Sequence, residues 1–205
     1  MLRHYLEVKE RHPDAVLLYR MGDFYEIFFE DALLAAPILE VTLTARQKGS
    51  DNEAPMCGVP HHALGVYLGK LVRAGLKVAI CDQVEDPAQA KGLVKREVTR
   101  VVTPGTVSEQ ELLEGKENNY LAALAWSEEE GGSGAFLDLS TGSFFVRHWS
   151  ADGQALEDLK LLQPRELLFR PSGLPAEIAD WAESRGVCRS PLGDDRWPGP
   201  RRARD

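Results

Sequence analysis

The segment Gly22-Asp23-Phe24-Tyr25-Glu26 sets two adjacent aromatic side chains beside two carboxylates at the head of an apolar run. Asp23 followed three residues later by Glu26 is typical of a helix N-terminus. Asp23 would accept backbone N–H groups there, and Glu26 would lie at the favourable end of the helix dipole. In this interpretation Phe24 is an ordinary core residue of the first turn, and the spacing alone favours it.

The adjacent rings of Phe24 and Tyr25 favour a second interpretation, in which one ring is exposed. Neighbouring helical positions point about 100° apart, so both rings cannot share one buried face. An exposed ring at a helix start beside Gly22 could act as a wedge between the base steps of a DNA duplex. Mispaired steps unstack at lower cost, so a wedge would select defective pairing. Glu26 could accept a hydrogen bond from a base, or donate one if burial raises its pKa.

The segments that would position these residues alternate between helix and strand. Hydrophobic periodicity predicts helices over residues 2–12, 24–39 and 63–74, and strands over residues 15–20, 41–44, 55–59, 77–84 and 96–102. This alternation predicts an α/β domain over residues 1–106, with a mixed or parallel sheet and helices on its faces. Arg46 and Lys48 fall in a polar loop, where they could contact phosphates or simply be solvated.

A second α/β domain is predicted over residues 118–192, after a charged linker at 107–117. It comprises strands at 120–126, 135–139, 143–149 and 166–169, and helices at 152–162 and 175–184. Residues 193–205 contain basic residues and two prolines without an apolar period. They are predicted to form a disordered tail.

Composition narrows the class of protein. The 205 residues carry a net charge of −8, which excludes a simple DNA-coating protein. Residues 1–100 contain 13 Lys and Arg against 14 Asp and Glu, whereas the rest contains 11 against 18, so the first half is the better candidate for contacting nucleic acid. Three scattered cysteines, the lack of a CxxC pair and the lack of a long apolar segment predict a reduced, soluble, intracellular protein with no zinc site or membrane anchor.

The run YRMGDFYEIFFEDA, from Tyr19 to Ala32, is similar to the Phe-x-Glu mismatch-binding motif of the MutS family of DNA mismatch repair proteins, and the chain resembles that family over nearly its whole first half. The resemblance continues in order through VTLTAR, PMCGVPHHA, YLGKLVRAG, VAICDQVEDPAQAKGLVKREVTRVVTPGTV and NNYLAALAW. It implies that Phe24 stacks on a mispaired or unpaired base and that Glu26 hydrogen-bonds to it.

The same resemblance implies further contacts and partners. The turn at His61 and His62 would face DNA, with His62 as the contact; a capping or solvated histidine is the alternative, and two adjacent histidines suit one metal ion poorly. Tyr25 is a further candidate DNA contact. Residues 1–106 would form the mismatch-recognition domain, and residues 118–192 part of an RNase H-like connector domain that docks the partner protein MutL. The implied ligand is mismatched or looped double-stranded DNA, and the implied location is the bacterial cytoplasm, in association with the nucleoid.

Two statements about catalysis follow from the sequence. No P-loop of the form GxxxxGK followed by Ser or Thr occurs in these residues, so the family's ATPase, with its ATP and Mg²⁺, and its dimer-forming domains are expected to be absent. The early end after Leu192 is interpreted as a truncation or frameshift. We therefore predict a binding fragment that is not an enzyme and needs no cofactor or metal.

Two alternative functions stay open. Asp138, in GAFLDLSTG, resembles the first carboxylate of RNase H-like nucleases. A two-metal nuclease needs several carboxylates around ions about 4 Å apart, and the later strand supplies only Glu166. The second alternative is a fragment that docks a repair partner through residues 118–190 and never engages DNA.

Overall fold

The computed structural model describes residues 1–46, 49, 53–85, 92, 94–107, 117–127, 131–171 and 173–193. The chain divides into two compact units: unit 1 is built from Met1–Thr103, and the described residues from Pro104 onward form unit 2. Lys48, the predicted linker after Val107 and the predicted tail after Gly193 lie outside the described residues. No helix in the described part of the chain is both long and apolar enough to cross a membrane.

Unit 1 is a six-stranded mixed sheet with helices on its faces. Its elements are α1 Leu2–Arg11, β1 Ala15–Met21, β2 Phe24–Phe28, α2 Phe29–Leu39, β3 Thr44–Arg46, β4 Ala54–Pro60, a 3₁₀ turn His61–Ala63, α3 Leu64–Arg73, β5 Lys77–Gln83 and β6 Arg96–Val102. The strand order is β3-β4-β2-β1-β5-β6. Only the central pair of β1 and β5 is parallel among the pairs in this order. The chain between these two strands passes through β2, α2, β3, β4 and α3.

Strand alternation sends side chains of β1 to opposite faces of this sheet. Tyr5 and Val8 of α1 pack on the face that carries Leu17 and Tyr19. Helix α2 lies over the other face, where the Cys57 thiol is 3.9 Å from the carbonyl oxygen of Ala32. Both faces of the central strands are therefore covered, which explains why β1 reads as a continuous apolar run.

Asp31, in the first turn of α2, ties α1 to the sheet. Its carboxylate accepts hydrogen bonds from the Lys9 ammonium at 2.9 Å, the Leu17 backbone N–H at 2.9 Å and the Tyr5 hydroxyl at 3.4 Å. The Lys9 ammonium also donates to the carbonyl oxygen of Ala15 at 2.7 Å. These hydrogen bonds offset the cost of burying the Asp31 carboxylate.

Unit 2 is a five-stranded mixed sheet with two helices. Its elements are β7 Tyr120–Ser127, β8 Gly131–Asp138, β9 Ser143–Trp149, α4 Asp152–Leu162, β10 Glu166–Phe169, α5 Ala176–Ser184 and β11 Cys188–Pro191, and the strand order is β11-β10-β7-β8-β9. Strands β7, β8 and β9 are antiparallel, whereas β10 runs parallel to β7 and β11 parallel to β10. This agrees with the predicted RNase H-like arrangement, and the α/β class is confirmed for both units.

The main departure from the predicted elements is at the start of the helix expected over residues 24–39. Residues Phe24–Phe28 form strand β2, and the helix begins only at Phe29. The assignment of Phe24 to a first helical turn, with Asp23 and Glu26 as its capping pair, is therefore wrong. The physical reason is that β2 is held on both sides, by β1 and by β4, and this pairing outweighs a local helix signal.

Smaller differences concern boundaries. The strand expected at 41–44 is at Thr44–Arg46, the helix expected from residue 63 starts as a 3₁₀ turn at His61, and β11 was not predicted. Residues at the predicted end of the first domain belong to unit 2. The Gly105 N–H donates to the Glu166 carboxylate at 3.1 Å, and the Asn119 side-chain amide donates to the carbonyl oxygen of Pro104 at 2.9 Å.

Candidate nucleic-acid interface

The Gly-Asp pair at residues 22 and 23 forms the two-residue turn of a β-hairpin between β1 and β2. Met21 and Phe24 are the closing pair of the hairpin. Gly22 has a φ of +57°, and Asp23 is not among the residues of positive φ. Glycine at the first central position with this sign is the pattern of a type II′ turn, whose twist matches that of the strands. The predicted wedge is therefore at the tip of a hairpin.

Alternation along β2 separates the three residues of the predicted motif. Phe24 is 49% exposed, whereas Tyr25 is 2% exposed. Because strand residues two apart share a face, Phe24 and Glu26 point to one side of the sheet and Tyr25 to the other. Phe24 and Glu26 are thus brought together on one surface. Tyr25, the further candidate DNA contact, is buried on the opposite side.

Glu26 is paired with Arg46 across three strands. The Arg46 guanidinium is 3.4 Å from the Glu26 carboxylate, and Arg46 reaches it from β3 over the intervening β4, where Gly58 lies opposite Glu26. Partial burial raises the pKa of Glu26 above its ordinary value, and the Arg46 charge opposes this rise. Partial burial therefore disfavours the ionised form of Glu26, and the Arg46 guanidinium favours it.

The Pro-His-His-Ala turn lies directly beside the hairpin tip. Pro60 is the register partner of Phe24, and the His61 backbone N–H donates to the carbonyl oxygen of Asp23 at 2.9 Å. His62 is exposed. Phe24 and His62, predicted from separate motifs, therefore lie next to the same hairpin turn, whereas Arg46 belongs to β3 and only its side chain reaches Glu26.

Comparison with known proteins identifies the family. A family model described as MutS domain I matches residues 1–111. Proteins named DNA mismatch repair protein MutS are 50% identical over 206 residues in Syntrophobacter fumaroxidans, covering 98% of this chain, and 53% identical over 173 residues in Myxococcus xanthus, covering 84%. The chain belongs to the MutS family. It spans about a fifth of the length of these relatives, 23% of the first and 19% of the second.

The second candidate site in this MutS chain was Asp138. Its side chain is fully buried, and its carboxylate accepts hydrogen bonds from the Ser140 hydroxyl at 2.6 Å, the Ser140 N–H at 2.9 Å and the Asn119 N–H at 3.2 Å. Burial opposes its ionisation, but these hydrogen bonds outweigh burial and lower the pKa of Asp138. The carboxylate is therefore used to fix the turn after β8.

Glu166, the other carboxylate considered for this site, is also engaged by the fold. Its oxygens accept hydrogen bonds from the Gly105 N–H and from the Ser190 hydroxyl at 2.5 Å. Among the described residues there is no group of three or more His, Cys, Asp and Glu side chains that could hold a metal ion. In the described part of this MutS chain, the candidate residues Phe24 and His62 are exposed at or beside the hairpin tip of unit 1.

Proposed function

We propose that unit 1 binds mismatched or looped double-stranded DNA, with the Phe24 ring inserted between base steps. The observation that carries this proposal is the exposure of Phe24 beside the buried Tyr25. A phenyl ring that is half exposed on a closed hairpin turn presents apolar surface to a ligand at a fixed position. The family supports the same ligand, because the relatives are named DNA mismatch repair proteins.

The selectivity for defective pairing follows from the cost of insertion. A wedge must unstack a base step and kink the duplex, which costs a few kcal/mol per step. This cost is lower where the bases are mispaired or one of them is unpaired. The protein gains the same apolar contact in both cases, so the net affinity is greater for the damaged duplex.

We propose that Glu26 contacts an edge of the displaced base, while Arg46 turns to a backbone phosphate. A donor or acceptor on the Watson–Crick edge of a base is free only where pairing has failed. A carboxyl group with a raised pKa can serve there either as acceptor or, when protonated, as donor. An unpaired carboxylate near phosphates would penalise fully paired DNA, since no Watson–Crick edge is free to compensate it. His62, exposed beside the tip, is proposed as a further backbone contact.

We propose that the chain acts by binding alone, without a cofactor. The hydrogen bonding of Asp138 and Glu166 supports a structural role for both carboxylates, so no observation favours the nuclease alternative. Use of ATP and Mg²⁺ belongs to the family's P-loop, which does not occur in these residues. Docking of MutL through unit 2 and dimer formation stay predictions from the resemblance.

The test compares the affinity of the full chain for a one-base-bulge duplex, a G·T duplex and the matched homoduplex at one salt concentration. Phe24→Ala is the test variant and Phe144→Ala the control, because Phe144 is also an exposed phenylalanine, 64% exposed, but belongs to unit 2. Burying the exposed half of a phenylalanine, about 100 Å², contributes about 2.5 kcal/mol at most.

We therefore expect Phe24→Ala to weaken binding to the bulged duplex by about tenfold or more and to leave homoduplex binding nearly unchanged. Phe144→Ala should behave as the parent. Equal affinity of the parent for all three duplexes, or equal losses in both variants, would contradict the proposal.

A further inference from the structure

A polar cluster lies behind the hairpin tip, on the face opposite Phe24. It consists of Arg20, Tyr25 and Asp82, and we call it the Arg20 cluster. The Tyr25 hydroxyl donates to the Asp82 carboxylate at 2.8 Å. The Arg20 guanidinium lies over the Tyr25 ring, with its central carbon 5.6 Å from the ring centroid, and one of its nitrogens is 3.8 Å from the other Asp82 oxygen. Each member therefore contacts the other two.

The strand register explains why these three residues meet. Arg20 and Tyr25 are a cross-strand pair of the hairpin. Asp82 is one residue beyond Cys81, the last residue of β5 that pairs with β1. Three neighbouring strands thus supply one residue each at the same level of the sheet.

The Arg20 cluster reaches the turn itself. The Arg20 Nε–H donates to the carbonyl oxygen of Gly22 at 2.5 Å. The carbonyl oxygen of Arg20 accepts a hydrogen bond from the Arg96 guanidinium at 2.7 Å, which links this end of β1 to β6. Burial and the hydrogen bond to Asp82 raise the pKa of Tyr25 to about 12, so the phenol remains a donor at neutral pH. The turn is therefore held from behind by charge-assisted hydrogen bonds, which are the stronger kind.

We propose that Arg20, Tyr25 and Asp82 are positioning residues, which hold the turn at Gly22 so that Phe24 is presented for insertion. This inference rests on the proposed function of Phe24. It assigns Tyr25 a role behind the tip in place of a contact with DNA, in agreement with its burial. The sequence did not single out Asp82, although it lies within the run VAICDQVEDPAQAKGLVKREVTRVVTPGTV.

The physical consequence is a population effect. Insertion requires the tip in one conformation, and the apparent dissociation constant for the mismatched duplex equals the intrinsic constant divided by the fraction of molecules in that conformation. Loosening the turn lowers this fraction. Binding to a homoduplex through phosphate contacts does not require insertion, so its affinity is unaffected.

The experiment uses Tyr25→Phe in the full chain, because this change removes one buried oxygen atom and keeps the ring under Arg20. We expect the ratio of bulged-duplex to homoduplex affinity to fall about threefold to tenfold, as for a conformer population of about a third to a tenth. In the free protein, hydrogen exchange at the His61 amide, which donates to the carbonyl oxygen of Asp23 in the turn, should become faster. Tyr5→Phe is the matched control, since it removes a buried hydroxyl of unit 1 that bonds Phe28 and Asp31 away from the tip.

The outcomes are distinguishable from those of the proposed function. A lower ratio of bulged-duplex to homoduplex affinity and faster exchange in Tyr25→Phe, with neither change in Tyr5→Phe, support the inference. If Phe24→Ala lowers this ratio but Tyr25→Phe changes neither the ratio nor the exchange rate, the inference is overturned and the proposed function of Phe24 is supported. Equal losses in both tyrosine variants would also overturn it, because they would indicate general destabilisation. If the parent chain binds bulged duplex and homoduplex equally, the proposed function of Phe24 is overturned, and this inference with it.

Discussion

Replacing Asp31 by alanine removes the acceptor that joins α1, β1 and α2, and the structure allows the cost to be worked out. Asp31 is 7% exposed. Its loss leaves the Leu17 N–H, which lies in the middle of the most buried strand, without the acceptor that it has at 2.9 Å. It also leaves the Lys9 ammonium without its carboxylate partner. Water cannot readily replace the acceptor at Leu17.

The magnitude follows from these two losses. An unsatisfied buried N–H costs about 1–3 kcal/mol, and a hydrogen bond to a charged group contributes about 1.5–3 kcal/mol. The second figure applies near its lower end, because Lys9 is partly exposed and keeps its bond to Ala15. We expect Asp31→Ala to lower the free energy of unfolding of unit 1 by about 3–5 kcal/mol, as for other broken buried pairs. Asp31→Asn keeps an acceptor for Leu17 and should cost less.

The assay uses the uneven distribution of tryptophan. The four tryptophans, which all follow Thr103, are Trp126, Trp149, Trp181 and Trp197. Their fluorescence therefore reports on unit 2, whereas far-UV circular dichroism reports on both units. In a urea titration of the full chain, the dichroism transition of unit 1 should move down by about 1–3 M. The tryptophan transition should keep the parent midpoint, which gives an internal control in the same sample.

Two results would refute this reasoning. A dichroism midpoint for Asp31→Ala within error of the parent would show that the carboxylate contributes little beyond its desolvation cost. An equal shift of the tryptophan transition would show that the two units unfold as one and that unit 2 depends on unit 1.

Two further predictions use the pKa shifts. Arg46→Gln removes the cation that opposes the rise in the pKa of Glu26, so this pKa should rise further. A raised pKa means that the folded state binds the proton more tightly than the unfolded state. The free energy of unfolding should therefore fall more steeply than in the parent as pH rises from the unfolded pKa through the folded pKa of Glu26. A carboxyl titration by NMR measures this pKa, and an unchanged midpoint would contradict the ion pair. The pKa of Asp138 is lowered, so its contribution is present above the unfolded value of about 3.9 and is lost as pH falls toward the folded value. Asp138→Asn should remove this acid sensitivity from unfolding followed by the tryptophan signal of unit 2. If the parent chain instead cleaves DNA with magnesium and Asp138→Asn abolishes the cleavage, the nuclease alternative would be supported.

The hairpin at Gly22 shows what local sequence can and cannot decide. A Gly-Asp pair between the strand-like runs AVLLYRM and FYEIF is a recognised signal for a two-residue hairpin. Asp23 and Glu26 also match a helix cap, and the apolar pattern continues into α2, so two local signals compete. The choice between them is made by β4, whose residues lie about thirty positions along the chain and pair with β2.

The contacts within the candidate site were less accessible to sequence reasoning than its residues. Phe24 and Glu26 were identified from their motif, and their exposure and shared face follow from the strand. The pairing of Glu26 with Arg46 depends on the registers of two strand pairs, and that of Tyr25 with Asp82 joins residues 57 positions apart. The strand register depends on the packing of the whole sheet, so the amino-acid sequence of these segments does not reveal it.

The Phe-x-Glu spacing has a consequence for how variation in this motif is interpreted. In a pleated strand the middle position faces the interior while its neighbours face outward. Under the proposed function, substitutions at Tyr25 would therefore be constrained by the packing of the protein, and substitutions at Phe24 and Glu26 by the DNA that they contact. Three consecutive residues would then be under two unrelated constraints. A residue inserted into or deleted from β2 would exchange them, placing a ligand-facing side chain in the core and a core side chain on the ligand.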